Sequence, residues 1–305
     1  MSFFDNHIVL NGGKAFFAFL MLFSNGLLVF VSFKAKFLNS TCNWLITANS
    51  ACIAIYSLTY FVQFGIVLFS PSGIPLWLCC LLVSVPLFAV CCQYILFPVI
   101  ALDRLIGAVF PFKQMGKRYK RRFMLFALIA STSFAIFMLA ASINKSIIHF
   151  SENSVLCMTS DPTPAYFTNC SWTLNICSVI LYMALWVRIK LMSSSTASGE
   201  MQSNETVTRK VLFSLMTIFL VETFGWVSNW SVKLVLNQFD AGPMTQWYVL
   251  SYCSFSMQFA LALYAPILYV LSSEYRSAFR LVLGIDKISP KNSIIHVVPI
   301  NRSGN

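Results

Sequence analysis

Residues 76–110 read LWLCCLLVSVPLFAVCCQYILFPVIALDRLIGAVF, a run of 35 residues whose only charges, Asp103 and Arg104, lie near its end. As a helix the run would be about 52 Å long at 1.5 Å per residue, against roughly 30 Å of bilayer hydrocarbon. It crosses a membrane with turns to spare, and those carrying the charged pair emerge into water. Working outward, six more runs have the same character: 15–33, 42–69, 123–148, 167–189, 211–236 and 247–271. Asn169, Ser171, Thr173, Asn175 and Ser178 dilute the start of the fifth span, but 176–189 is strongly apolar. The expectation is an all-α membrane protein of seven transmembrane helices.

Composition agrees. Of 305 residues, 58% are apolar and 10% charged, with a mean hydropathy of +0.74. Soluble domains carry about 25% charged residues, so an ordinary soluble enzyme and a disordered chain are both excluded. The 21 basic and 10 acidic residues give +11, and their placement is informative. Lys34, Lys36, Lys113, Lys117, Arg118, Lys120, Arg121, Arg122, Lys190, Arg209 and Lys210 fall after spans one, three and five, and five more basic residues lie in the C-terminal tail. The opposite side holds little beyond Lys14, Lys145 and Lys233. The positive-inside rule puts the N-terminus outside and the C-terminus in the cytoplasm. Nucleic acid is not an expected partner, because the basic residues sit in short loops rather than on a soluble face.

The organisation expected is an extracellular tail (1–14), the bundle (15–271), a juxtamembrane amphipathic helix (272–284) and a cytoplasmic tail (285–305). The first 14 residues lack a basic leader with an apolar core, so the first span would serve as its own insertion signal. Ten cysteines are scattered through the spans without CxxC pairs and read as apolar packing residues, with room for one extracellular disulfide. His7, His149 and His296 all lie outside the spans, and HExxH and paired intramembrane acids are missing. That excludes an intramembrane enzyme, and no cofactor or metal is expected.

Seven spans alone do not license a function. Asp103-Arg104-Leu105, followed by Pro111, resembles the Asp-Arg-Tyr motif of rhodopsin-like receptors, which implies a G-protein contact at the inner end of helix three. Ala265-Pro266-Ile267-Leu268-Tyr269 resembles their Asn-Pro-x-x-Tyr motif, whose proline removes a backbone hydrogen bond and bends the helix, letting Tyr269 swing inward. Residues 273–280 read as a short amphipathic helix on the inner membrane surface, its basic residues on anionic lipid and Phe279 and Leu281 toward the acyl chains. Together with Cys42-Asn43-Trp44-Leu45-Ile46 and Phe224-Gly225-Trp226, these pieces make residues 16–279 resemble the nematode serpentine chemoreceptors of the srsx type.

That resemblance implies a plasma-membrane receptor in the cilia of chemosensory neurons, acting on a heterotrimeric G protein. A receptor kinase and arrestin would be further partners, with Ser193, Ser194, Ser195, Thr196 and Ser198 reading either as phosphorylation sites or as an ordinary flexible linker. It also implies a disulfide from Cys79 to the second extracellular loop. Cys79 precedes Arg104 by 25 residues, about 37 Å along a helix, so the two lie on opposite sides of the membrane. The loop offers Cys157 and Cys170, of which Cys157, in mid-loop, is preferred.

Departures from the wider rhodopsin-like pattern affect the switch. Asn25 fits the asparagine of helix one, but residues 48–55 lack the aspartate of helix two, and Ala265 replaces an asparagine. A sodium pocket is therefore not expected. Trp226 stands at the toggle position, while Ser228 replaces a proline and should leave helix six straighter. Glu222, the only acid buried within a span, lies a helical turn from Trp226 on the same face and reads either as a proton switch, as a ligand-linked proton site or as a hydrogen-bonded packing residue. The expected switch set is Trp226, Glu222, Pro266, Tyr269 and Asn25.

A ligand pocket would lie between the outer halves of helices three, five, six and seven, with Val83, Leu87, Phe88, Cys91, Asn229, Trp230, Tyr252, Phe255 and Ser256 as candidates alongside a plain packing role. It reads as aromatic and nearly uncharged, with Lys233 snorkelling to the interface. With no acid on outer helix three, a biogenic amine is disfavoured, and a neutral volatile, a lipid-like molecule or a peptide end fits better. The sequon at Asn169 is a glycosylation candidate crowded against a span. The rival reading is a seven-span ligand-gated channel or transporter, for which an internal repeat and midplane charges are lacking. An insect-type odorant channel would invert the topology.

Overall fold

In the computed structural model the described residues are 3–35, 37–38, 40–70, 72–109, 116–149, 157–159, 161–195, 202–239 and 242–285. Among them the regular structure is helical: α1 (Phe3–Lys34), α2 (Thr41–Phe69), α3 (Leu76–Val109), α4 (Lys117–Ile148), α5 (Ala165–Ser195), α6 (Gln202–Gln238), α7 (Pro243–Ala262), α8 (Tyr264–Leu271) and α9 (Ser273–Val282). Six stretches of the described residues are long and apolar enough to cross a membrane, on α1 to α5 and on α7 continued through α8. The chain is a multi-span helical membrane protein.

Local chemistry sets several boundaries. The Ser40 side chain accepts a hydrogen bond from the Asn43 amide and caps α2, and Pro243 opens α7, where its missing N–H costs nothing. Pro266 cannot donate to the Ala262 carbonyl, and the helix breaks at Leu263, separating α7 from α8. α3 absorbs Pro86 and Pro98 without a break, and α6 runs unbroken for 37 residues, as expected with Ser228 in place of proline.

The surface is inside-out relative to a soluble bundle. Phe16, Phe19, Phe23 and Phe30 on α1, and Phe126, Ile129, Ile136 and Phe137 on α4, are at least half exposed, whereas Asn25, Gln93, Ser142, Glu222 and Gln258 are buried. Large apolar side chains turned outward at helical spacing are what lipid contact requires. Around the bundle α1 packs on α2, α2 on α3, α3 on α5, α5 on α6, α6 on α7 and α7 on α1, with α4 set against α3.

One boundary and one side-chain direction differ from expectation. Helix α1 starts at Phe3, so most of the segment read as a tail continues the first helix. Its polar residues have partners within the bundle: Asn11 Nδ2 donates to the His7 carbonyl at 2.9 Å, His7 Nε2 pairs with the Tyr248 hydroxyl at 3.1 Å, and Lys14 Nζ donates to Ser251 Oγ at 2.8 Å. At the other end, α9 buries Tyr275, Ala278 and Phe279 and exposes Glu274, Arg276 and Arg280. Phe279 meets the Tyr269 ring edge-on at 5.7 Å and packs on the bundle, while Leu281 stays exposed.

Candidate functional site

A cavity of about 90 Å³ lies in the half of the bundle that carries the Cys79–Cys157 disulfide. Its walls are Lys14 of α1, Tyr56, Tyr60 and Gln63 of α2, Val90 and Tyr94 of α3, Phe167 of α5, Trp226, Asn229 and Lys233 of α6, and Leu250, Ser254 and Met257 of α7. Met158 and Thr159 complete the lining. Their position follows from the Cys79–Cys157 disulfide, which ties residues 157–159 to the first turn of α3. Trp226 sits deepest on α6, its ring 5.1 Å from that of Tyr94 and 6.2 Å from that of Tyr56.

The mouth is charged. Lys145 of α4 donates to the carbonyls of Asp161 and Thr163 at 2.7 and 2.8 Å, pinning the loop. Burial pushes the Asp161 carboxyl up to about 6, while the Met158 amide, which donates to it at 2.7 Å, and the charges of Lys145, Lys233 and Lys14 draw it back. Lys14 is only 2% exposed and lies 5.4 Å from the centre of the Trp247 ring. A positive wall on this cavity replaces the nearly uncharged pocket and the snorkelling Lys233 of the sequence reading. Lys14 reaches inward because α1 starts at Phe3, well before the expected start of the first span at residue 15, and Lys233 lines the cavity from within the expected sixth span.

Below Trp226, α3 and α6 are joined layer by layer. Gln93 Nε2 donates to Glu222 Oε1 at 2.7 Å, in full burial. One turn further in, Phe97 stacks on Phe219 at 5.4 Å and Tyr182 of α5 stacks on Phe219 at 3.9 Å, with Leu105 and Met216 packed against them. At the end of α3 opposite the disulfide, Arg104 donates to Asp103 Oδ2 from Nη2 at 2.9 Å and from Nε at 3.2 Å, and lies within electrostatic reach of Cys42 and Tyr182. Asn25 bridges α1 to α7, its Nδ2 donating to the carbonyls of Met21 and Leu261 at 3.0 Å each. Tyr269 is half-buried, its carbonyl accepting from Arg276 Nε at 3.2 Å, and Pro266 is exposed.

The family model of the serpentine type 7TM GPCR chemoreceptor Srsx matches residues 18–283. The chain belongs to that family. Membership makes it a chemosensory receptor rather than an enzyme. No curated protein matches the chain.

The structure sorts the residues expected in the receptor's pocket. Asn229 lines the cavity beside Trp226. Val83 instead packs on the Cys79–Cys157 disulfide with Ile66 and Ile74, and Leu87, Phe88 and Cys91 belong to the bundle core. The cavity is deeper on α3, at Val90 and Tyr94, because the cross-linked loop segment fills the outermost turns. On α7 the inward face is Leu250, Ser254 and Met257. Tyr252 is 63% exposed, Ser256 is exposed, and Phe255 packs on Phe17 at 5.7 Å at the α1 boundary, so none of the three lines the cavity. Pro111 and the Trp230 side chain lie outside the described residues, as do the side chains of Ser193, Ser194, Ser195, Thr196 and Ser198. Asn169 is exposed but sits inside α5, and the sequon's Ser171 is buried, its hydroxyl donating to the Phe167 carbonyl at 2.8 Å.

Sequence reasoning missed Gln93 and the α2 wall. Gln93 is the lone amide in the middle of the 76–110 run, and an uncompensated polar side chain at that depth was the available signal. Tyr56, Tyr60 and Gln63 share one helical face, but α2 was not among the helices expected to form the pocket.

Proposed function

We propose that this receptor spans the membrane seven times, with α6 as the sixth span and α9 as an amphipathic helix on the inner leaflet. The N-terminus faces outside, a small external ligand enters the cavity above Trp226, and a heterotrimeric G protein is engaged through Asp103, Arg104 and Leu105, with Pro111 just beyond. The observation that carries this reading is the α3–α6 ladder. The same two helices wall the cavity at Tyr94 and Trp226, share the Gln93–Glu222 hydrogen bond below it, and meet again at Phe97 and Phe219. Tyr94 and Arg104 are ten residues apart, about 15 Å along α3. A ligand that displaces Trp226 therefore acts on a rigid strut ending at the coupling arginine.

The ladder must be bistable for this to signal. Arg104 held by Asp103 is the resting arrangement, and an outward shift of the inner half of α6 frees it for the G protein. Since α6 carries no proline hinge, it moves as a rod past α7, and the break at Leu263 with Asn25 against Leu261 gives α7 the compliance that α6 lacks. Trp226, Glu222, Pro266, Tyr269 and Asn25 are the switch residues of this reading. Nucleotide exchange on the G protein, compared between wild type and Arg104→Ala at matched surface levels across odorant pools, tests it. The expected result is a pool that activates the wild type and leaves the variant silent. An equal response in both, or an ionic current without nucleotide exchange, contradicts it in favour of a channel.

A further inference from the structure

The N-terminal end of α4 carries a dense charge with no part in ligand entry or coupling. Residues 117–122 read Lys-Arg-Tyr-Lys-Arg-Arg, and neither α4 nor residues 110–116 before it contain an acid. Arg118, Tyr119, Lys120, Arg121 and Arg122 are exposed, and the apolar run 123–148 follows them directly. Helix stability does not explain the cluster, since the first turn of a helix favours acids and disfavours cations. The positive-inside rule explains its sign but is indifferent to the helical face that carries it. The face is specific. Phe123, Met124 and Ala127 turn toward the bundle core, whereas Leu125, Phe126, Leu128 and Ile129 are exposed. Arg118, Arg122, Leu125, Ile129 and Ile136 follow one another at four, three, four and seven residues and share one stripe of α4. Within the bundle α4 packs mainly on α3, which leaves that stripe to lipid. The two arginines therefore continue the lipid-facing line of the helix into the headgroup layer.

We propose that Arg118 and Arg122, flanked by Arg121 and Tyr119, bind the headgroup of a phosphatidylinositol bisphosphate in the inner leaflet. This rests on the orientation proposed above, which puts the N-terminal end of α4 at the cytoplasmic face. The two arginines lie one to five residues before the apolar run, within about 8 Å of its start along the helix. At that depth a guanidinium stays within a Debye length of the lipid phosphates. Arg118 and Arg122 are one turn apart, about 6 Å, and each presents a planar fork that grips a phosphate through two parallel hydrogen bonds. A headgroup with two phosphate monoesters on one ring satisfies both forks at once. Phosphatidylserine offers a single phosphate and carries an ammonium that the cluster repels. The Tyr119 ring stacks on that of Phe123 at 6.3 Å, which sets an aromatic with a polar tip at the edge of the hydrocarbon. Basic clusters of this size beside a span are what draws anionic lipid to a membrane protein.

The test uses the full-length receptor in neutral detergent micelles, titrated with dioctanoyl phosphatidylinositol bisphosphate or, at matched charge, with dioctanoyl phosphatidylserine. The thermal unfolding midpoint is the readout. The bisphosphate is expected to raise it saturably, and phosphatidylserine to raise it far less. Arg118→Gln combined with Arg122→Gln should weaken the bisphosphate effect by about twenty-five-fold, at about fivefold for each basic residue. Lysine at both positions keeps the charge but loses the paired donors, so its affinity should fall between the two. Lys190→Gln, which removes an exposed charge from α5, should leave the effect unchanged. Without lipid, both arginine variants should unfold at the wild-type midpoint, because the side chains are exposed, and this separates lost binding from a folding defect. Equal stabilisation by phosphatidylserine, an unchanged glutamine variant, or no stabilisation by either lipid overturns the assignment. A micelle has no sides, so binding is read independently of orientation. Antibody access to a C-terminal tag on intact cells would instead overturn the orientation, and with it the inner-leaflet lipid.

Discussion

Glu222 is held by a neutral amide rather than by a cation, and the two partners belong to α6 and α3, the helices that part in the proposed activation. Replacing it with leucine strands the Gln93 amide in an apolar layer, a cost of about 1–3 kcal/mol, while glutamine still offers a carbonyl to the same donor. We therefore expect Glu222→Leu to lower the thermal midpoint of the purified receptor and to raise basal nucleotide exchange, with Glu222→Gln close to wild type in both. A leucine variant as stable and as quiet as wild type would show that the bond does not hold the resting state. Asp161 gives a pH signature. Its raised pKa means that the folded receptor binds this proton more tightly than the unfolded chain, so its contribution is greatest at low pH and is lost as pH rises through about 6. Lys14, Lys145 and Lys233 and the Met158 amide face this group, and all of them favour its ionised form. The thermal midpoint of wild type minus that of Asp161→Asn should therefore be larger at pH 5 than at pH 7.5. A difference that is flat or of opposite slope refutes the assignment. Of these two residues, Glu222 was legible in the sequence as the lone intramembrane acid. Asp161 was not, since only the folded loop brings it under three lysines from three helices.

Helices pack as closely as their smallest residues allow. At Gly225 of α6, a β-carbon would stand 3.1 Å from both the Cβ of Ala260 and the backbone Cα of Met257. A methyl group there must push α6 from α7, at the level where Trp226 forms the cavity floor. Gly26 in α1 has nothing within 4 Å of the same added atom. Gly225→Ala should cost a net of about 1 kcal/mol or more, overpacking outweighing helix propensity, and Gly225→Val should cost more. Gly26→Ala should be neutral or should gain up to about 1 kcal/mol. Thermal unfolding of the three variants checks the order, and a stabilised Gly225→Ala would mean that the two helices are not in contact there. The Phe224-Gly225-Trp226 stretch was readable as a family feature, but the role of its glycine was not, because the neighbour that requires it lies about 35 positions away in sequence. For the same reason α7 was read on the wrong face. Tyr252 and Ser256 carry the chemistry that a pocket would want, yet the contact of Phe255 with α1 turns them outward.

Across the whole molecule, the bundle carries one covalent tie. The Cys79–Cys157 bridge closes a loop with a sequence separation of 78, worth up to about 4.5 kcal/mol of chain entropy, and it brings Met158 and Thr159 over the cavity. Cys79→Ser and Cys157→Ser should each sharply reduce surface expression and be no worse in combination, whereas Cys170→Ser, outside the pair, should be tolerated. Quantified surface labelling decides it. Hydropathy and the order of motifs made a multi-span helical membrane protein, the family and this pairing legible, because each is a local or family-level signal. The cavity's charge and depth were not, since they depend on how far α1 extends and on which side chains a cross-linked loop displaces.

The central claim is that occupancy of the cavity is transmitted along α3 and α6 to Arg104. It is tested most directly by measuring binding and signalling separately in two variants, using an odorant pool that activates the wild type. Val90→Trp fills the cavity and should abolish both the thermal stabilisation by the pool and nucleotide exchange. Arg104→Ala should keep the stabilisation and lose the exchange. A Val90→Trp receptor that still responds, or an Arg104→Ala receptor that still signals, would contradict the account.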